Sequence, residues 1–284
     1  VVIYVSAQID ITGKTFESFL GLNYYIGIAI GFGIVVFYIL SGGFIAVAWS
    51  DFFQGALMFV GLLILPPVIF YSLNDSDSII KGLGEIDPGL LNLWGFGGFN
   101  LMNFFTVLGL LSIGIGFMGS PQVYVRFIAI SNTIEIEKGK WVAIFYTFLT
   151  DSSAVLIGIL ARYMFTKKGY NPELVLGVGG EDVLSLVIGQ VMPSIIVGVY
   201  IAAVLSAVMS TIDSLLVVAS SAVTRDLYQK IIRPDISERS LIKISKRVTF
   251  FLAFLALLVT LVVSVLSPTR TVFWFVIFGW SGIA

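Results

Sequence analysis

Apolar residues run through this chain in long blocks separated by short polar links. A helix that crosses a bilayer needs roughly 20 predominantly apolar residues. Blocks of that size lie at about Tyr24–Ala48, Phe52–Tyr71, Leu101–Ile128, Trp141–Phe165, Pro193–Tyr228 and Val248–Leu266. Residues 1–8 read as the tail of a further helix, and Thr271–Ala284 as the start of another. A polar link with Asp10, Lys14 and Glu17 follows the first. Residues 74–101 and 166–192 are longer, Gly-rich and acidic, and read as external loops, with a surface helix over Val183–Met192.

Composition fixes the solvent. Hydrophobic residues make up 58% of the 284, charged residues 12%, and mean hydropathy is +1.02. A soluble domain carries about 25% charged residues. The pattern therefore predicts an all-α, multi-pass protein of the cell membrane, read as one domain over residues 1–284, with the lipid bilayer as a partner. A net charge of −1 gives no sign of a nucleic-acid partner. Cys and His are absent, which removes thiol catalysis, haem ligation and most zinc chemistry. No serine elbow, phosphate loop or His-Glu-x-x-His is present, so no enzyme and no cofactor are expected. Oligomeric state is not legible here.

Basic residues set orientation, because cytoplasmic links carry the excess of Lys and Arg. Ten of the 16 fall on one side (Arg126, Lys138, Lys140 and seven between Arg225 and Arg247), which places that side in the cytoplasm. The chain starts without Met and ends in an apolar run, so it reads as a fragment that begins and ends within membrane helices.

Three features interrupt the apolar blocks. Gly27, Gly31 and Gly33 offer small-residue contacts to a neighbouring helix. Pro66-Pro67 predicts a bend. Gly114 to Pro121 breaks a block otherwise long enough to span. Lipid tolerates an unwound helix only where the freed backbone is buried in protein or lines a cavity. The string Gly114-x-Gly116-x-x-Gly119 matches a dinucleotide fingerprint, but that motif needs a preceding strand, which this pattern excludes. The segment reads either as a kink before Pro121 or as a solute site shaped by Ile113, Gly114, Gly116, Phe117, Ser120 and Gln122.

The block from Pro193 is polar along one face. At 100° per residue Ser206, Ser210, Asp213, Ser214, Ser220 and Ser221 cluster, with Ala207 and Thr211 beside them. Hydroxyls there either bond their own i−4 carbonyls or line a cavity. A carboxylate at membrane depth favours an ion or proton path. Sodium, a hard cation, prefers carbonyl, hydroxyl and carboxylate oxygens. Asp51 reads as the N-cap of the helix after Ser50, a cation site, or both. Asp151, beside Thr150, Ser152 and Ser153, either lines the cavity or pairs with a buried donor. Asn74-Asp75-Ser76 is a sequon, meaningful only in a glycosylating host.

Three segments, in order, resemble the sodium/solute symporter family, and sodium/proline symporters within it. Tyr38–Asp51 is similar to the family's Gly-Gly-Phe…Trp-Thr-Asp stretch, Phe117–Phe127 to its broken helix, and Leu205–Thr211 with Ser220–Tyr228 to its most recognisable helix. The resemblance implies a transporter bundle of the five-plus-five inverted-repeat type, here from the third core helix to the start of the tenth and without the first. It implies symport of a small organic solute, an amino acid or carboxylate, with Na+ as the coupling ion. Carried over, the main sodium ligands are the Ala207 carbonyl and the Ser210 and Thr211 hydroxyls, completed by the first core helix. A second cation site matches Asp51, Asp213 and Ser214. The carboxylate at 213 replaces the hydroxyl of members with that site, which leaves ion number and proton coupling open. Ile113 and Phe117 stand where proline symporters carry Trp and Tyr, so the resemblance does not extend to proline as cargo. A transporter-like sensor is the other class that the fold allows.

Overall fold

The structure, a computed structural model, describes residues 1–73 and 79–281. Asn74-Asp75-Ser76 and Asp77 lie outside the described residues. In chain order the helices are α1 (Val2–Leu20), α2 (Tyr24–Leu73), α3 (Ile79–Ile86), α4 (Leu101–Met118), α5 (Pro121–Ile128), α6 (Thr133–Lys167), α7 (Pro172–Val175), α8 (Val183–Val191), α9 (Ser194–Ser221), α10 (Glu238–Leu266) and α11 (Val272–Ser281). Among the described residues five helical stretches are long and apolar enough to cross a membrane: Tyr24–Ser41, Val47–Leu73, Thr133–Lys167, Ser194–Ile232 and Glu238–Leu266. The α4–α5 pair is a sixth if it counts as one bent span.

The chain forms two compact units, residues 1–58 with 198–284, and residues 59–197. In the first, α1 is a full helix rather than a short tail followed by a link. It ends at Gly21, which takes the left-handed conformation (φ 63°) and donates to the Glu17 carbonyl at 2.9 Å. Several of its polar side chains find partners inside the unit, although Asp10 Oδ2 has no hydrogen bond among the described residues. Thr12 Oγ1 donates to the Gln8 carbonyl at 3.0 Å and Thr15 Oγ1 to Ile11 at 2.8 Å. Asp10, fully buried, pairs with Arg270.

Apolar side chains from four helices close this core: Val5 and Ile9 of α1, Ile28, Val35 and Ile39 of α2, Val208, Ile212, Leu215 and Leu216 of α9, Ala253 and Ala256 of α10. Glycines let backbones approach. A Cβ on Gly31 would lie 2.1 Å from Thr12 Cγ2, and one on Gly27 2.7 Å from Phe16 Cβ. Gly33 differs from the expectation and faces open space. Thr260 Oγ1 on α10 donates to the Ser6 carbonyl of α1 at 2.9 Å.

The second unit is built on α6, which begins at Thr133 and not at Trp141. Asn132 caps it, its side chain accepting from the Glu135 amide at 2.9 Å, so the charged first turns are already helical. The ring of Tyr163 on α6 leaves Gly82 of α3 no room for a side chain, because a Cβ there would sit 2.4 Å away. Phe59 stacks on Tyr146 at 5.3 Å. Asn100 caps α4 by accepting from the Asn103 amide at 2.8 Å.

Candidate functional site

The break in the Leu101–Ile128 block is real but narrower than the glycines suggest. Gly114, Gly116 and Phe117 are helical. The helix closes with tight i→i+3 bonds, Gly119 N to Gly116 O and Ser120 N to Phe117 O, both 3.1 Å. Ser120 is extended (φ −68°, ψ 136°) and α5 starts at Pro121, with the two helices bent by 43°. The cause is proline: its ring pushes the preceding residue out of the helical region, while Pro at the first helical position costs no hydrogen bond. Ser120 and Gln122 are buried; Gly114, Gly116 and Phe117 are exposed and Ile113 half-buried. Ser120 Oγ donates to the Phe117 carbonyl at 2.7 Å. Gln122 Oε1 is buried with no hydrogen-bond partner among the described residues, an acceptor available to a ligand's donor.

The first unit holds the polar face of α9. Thr211 Oγ1 donates to the Ala207 carbonyl at 3.1 Å, so these two oxygens already adjoin each other. Ser210, half-buried one residue before, has no side-chain hydrogen bond among the described residues. One turn further on, Asp213 is fully buried and Ser214 nearly so. Ser214 Oγ lies 3.3 Å from Asp213 Oδ1 and 3.3 Å from Asp51 Oδ2, although Asp51 is 163 residues away in sequence. A hydroxyl has one hydrogen, so Ser214 serves one carboxylate at a time. Asp213 Oδ2 is buried without a hydrogen-bond partner among the described residues. Two carboxylates that share one hydroxyl leave oxygens for a bound cation to take, Asp213 Oδ2 among them. Carbonyl, hydroxyl and carboxylate oxygens are the donor set a hard cation takes.

Asp51 does not cap a helix. Helical backbone runs from Tyr24 to Leu73, so residues on both sides of it are helical and its carboxylate is turned to Ser214. Asp151 is exposed, while its neighbour Thr150 is buried and donates to the Tyr146 carbonyl at 2.8 Å. After Ser221 the helix widens into i→i+5 turns through Ile232, where Thr224 Oγ1 donates to Ser220 O at 2.7 Å.

A second polar cluster joins residues far apart in the sequence. Arg270, in the link before α11, donates to Asp10 Oδ1 and, at 2.7 Å, to the Tyr24 hydroxyl. Tyr24 donates to the same carboxylate at 2.5 Å, and Lys14 Nζ lies 3.7 Å from Asp10 Oδ2. The available signal was that Asp10 interrupts an apolar run and Arg270 is the only charge after Arg247. In the second unit, clefts of about 530 and 760 Å³ share Arg162, Pro172 and Glu173, with Arg162 and Glu173 paired at 3.0 Å. Neither is lined by a residue named as a site from sequence.

The model of the sodium:solute symporter family matches residues 1–284. The high-affinity proline transporter PutP of Bacillus subtilis is 31% identical over 283 residues, covering 98% of this chain and 56% of the relative. The sodium/proline symporter of Staphylococcus aureus is 31% identical over 274 residues, covering 95% and 50%. A solved structure of a Na+-coupled sialic acid symporter, substrate-bound and outward-open, superposes with a TM-score of 0.75 at 24% identity, over 94% of this chain and 56% of that one. This chain has the same fold. It spans about half the length of the relatives it matches. From its first residue to its last, it belongs to the sodium:solute symporter family.

Proposed function

We propose that this chain is the sodium-binding and solute-binding part of a symporter that moves a small organic solute across the cell membrane with Na+. The observation that carries the reading is the meeting of Asp51, Asp213 and Ser214, from two helices, inside one compact unit. One turn before it, the Ala207 carbonyl and the Ser210 and Thr211 hydroxyls offer neutral oxygens to a first sodium, with further ligands from the family's first core helix. Asp51, Asp213 and Ser214 take a second cation or form its exit path. Solute lodges at the α4–α5 break, with Gln122 and Ser120 as polar contacts and Ile113, Gly114, Gly116 and Phe117 shaping the pocket. Coupling requires only that sodium and solute favour the same conformation. The relatives named above are proline transporters, but Ile113 and Phe117 in place of Trp and Tyr, which lose one ring and one hydroxyl, argue for a different amino acid or carboxylate.

A proton-driven reading rests on the same cluster, since two carboxylates around one hydroxyl also suit a proton. Uptake of a panel of labelled solutes, proline included, by the full-length protein in proteoliposomes separates the two. A sodium gradient alone should drive accumulation of at least one solute. Accumulation driven by a proton gradient in sodium-free buffer would replace sodium with the proton.

A further inference from the structure

The start of α10 carries a surface apart from the sites described above. Arg239, Lys243, Lys246 and Arg247 are exposed and stand at i, i+4, i+7 and i+8, one face of a helix. Phe250, Phe254 and Leu258 continue that face, all exposed, with the two rings stacked at 6.5 Å and 13°. The buried residues of α10, Leu241, Thr249, Ala253, Ala256 and Thr260 among them, pack into the first unit. One side of the helix is therefore taken, and the other presents four cations followed by an apolar column.

Charge on this face is not balanced locally. Of the nearby acids, Glu238 is held by Arg225 in a two-pronged pair at 2.9 Å, and Asp226 by Lys230 at 2.7 Å. Asp235 is exposed in the link, and no acidic residue follows Glu238 to the end of the chain. None of the four α10 cations has an ion pair among the described residues. The change from cations to phenylalanines falls where a polar link becomes a span, which is the depth of lipid headgroups. A span flanked on its cytoplasmic side by at least four basic residues attracts anionic lipid, and long basic side chains reach up to the headgroups from an apolar stem.

We propose that this face binds anionic phospholipid of the cytoplasmic leaflet. The headgroup phosphate sits among Arg239, Lys243, Lys246 and Arg247, and an acyl chain lies along Phe250, Phe254 and Leu258. Arginine contributes a planar fork to phosphate oxygens, lysine a point charge. This inference does not rest on the transport reading, and its test has no transport readout.

The test uses the full-length protein, with any cysteine elsewhere replaced and Ile242→Cys, exposed beside the basic face, labelled with bimane. Vesicles contain spin-labelled phosphatidylglycerol or, separately, spin-labelled phosphatidylcholine. Phosphatidylglycerol should quench at several-fold lower mole fraction than phosphatidylcholine. The preference should fall about tenfold or more in the combined Arg239→Gln, Lys243→Gln, Lys246→Gln and Arg247→Gln variant, and persist in Lys243→Arg with Lys246→Arg. Unchanged quenching by phosphatidylcholine shows that the variants remain folded and inserted. Equal quenching by both lipids in the parent would overturn the proposal, as would a preference that survives the four-fold substitution. Loss of the preference on adding inorganic phosphate at matched ionic strength would also overturn it, by assigning the face to a soluble anion.

Discussion

Replacing Arg270 with Met tests the buried cluster around Asp10 most sharply. Asp10 is fully buried, and among the described residues Arg270 is its only partner of opposite charge in hydrogen-bond contact. Removing one member of a buried ion pair costs about 3–5 kcal/mol, because the other charge stays in a low-dielectric site. Two groups moderate the loss here. The Tyr24 hydroxyl still donates to Asp10, and Lys14, at 3.7 Å, remains in range. The lower end applies, about 3 kcal/mol, or roughly a hundredfold in the folded ratio. Asp10→Leu strands the Arg270 cation and should cost a similar amount. The double variant should cost less than either single change, since an apolar pair replaces an ion pair and leaves no buried partner uncompensated. Lys14 is 26% exposed and can turn its ammonium to water. Reversible unfolding of the full-length protein in mixed micelles, read as a double-mutant cycle, gives each value. Single changes within about 1 kcal/mol of the parent, or a double equal to their sum, would refute the reasoning.

Gly31→Ala would place a Cβ 2.1 Å from Thr12 Cγ2, on a side chain also held by its bond to Gln8. Overpacking of this kind costs about 1–3 kcal/mol, whereas Gly33→Ala, facing open space, should leave the same unfolding midpoint unchanged or raised. Ser214→Ala removes the hydroxyl between two carboxylates. Sodium-dependent uptake should then need more sodium, with solute affinity at saturating sodium unchanged; a changed solute affinity with the sodium curve unmoved would place Ser214 elsewhere in the mechanism.

The spans were legible because lipid leaves little choice: a long apolar block must be a helix. Their ends were not. Hydropathy starts α6 at Trp141 and α10 at Val248, while the helices begin at Thr133 and Glu238. Their first turns are charged and capped by Asn132 and Ser237, a signal that capping residues carry and hydropathy does not. Residues 9–20 look like a link in the sequence for a different reason, yet they are helical. Asp10 resembles a link residue until Arg270, 260 positions later, neutralises it inside the fold. At the α4–α5 break Pro121 decides the geometry and the glycines do not: glycine permits unwinding, whereas proline imposes an extended residue before it. The pairing of Asp51 with Ser214 came from resemblance, since neither periodicity nor spacing brings together residues so far apart. The cap reading of Asp51 failed because Ser50, which looks like part of a turn, stays helical and donates to the Val47 carbonyl at 2.9 Å.

The central claim is that oxygens of Ala207, Ser210 and Thr211 hold the coupling ion. Sodium titration of solute uptake by the full-length protein, comparing the parent with Ser210→Ala and Thr211→Ala, addresses it directly. Each variant loses one oxygen ligand, worth roughly 1.5 kcal/mol when the partner is charged, so half-saturation should move to about tenfold higher sodium. Two variants that accumulate solute along the parent's sodium curve would contradict the account.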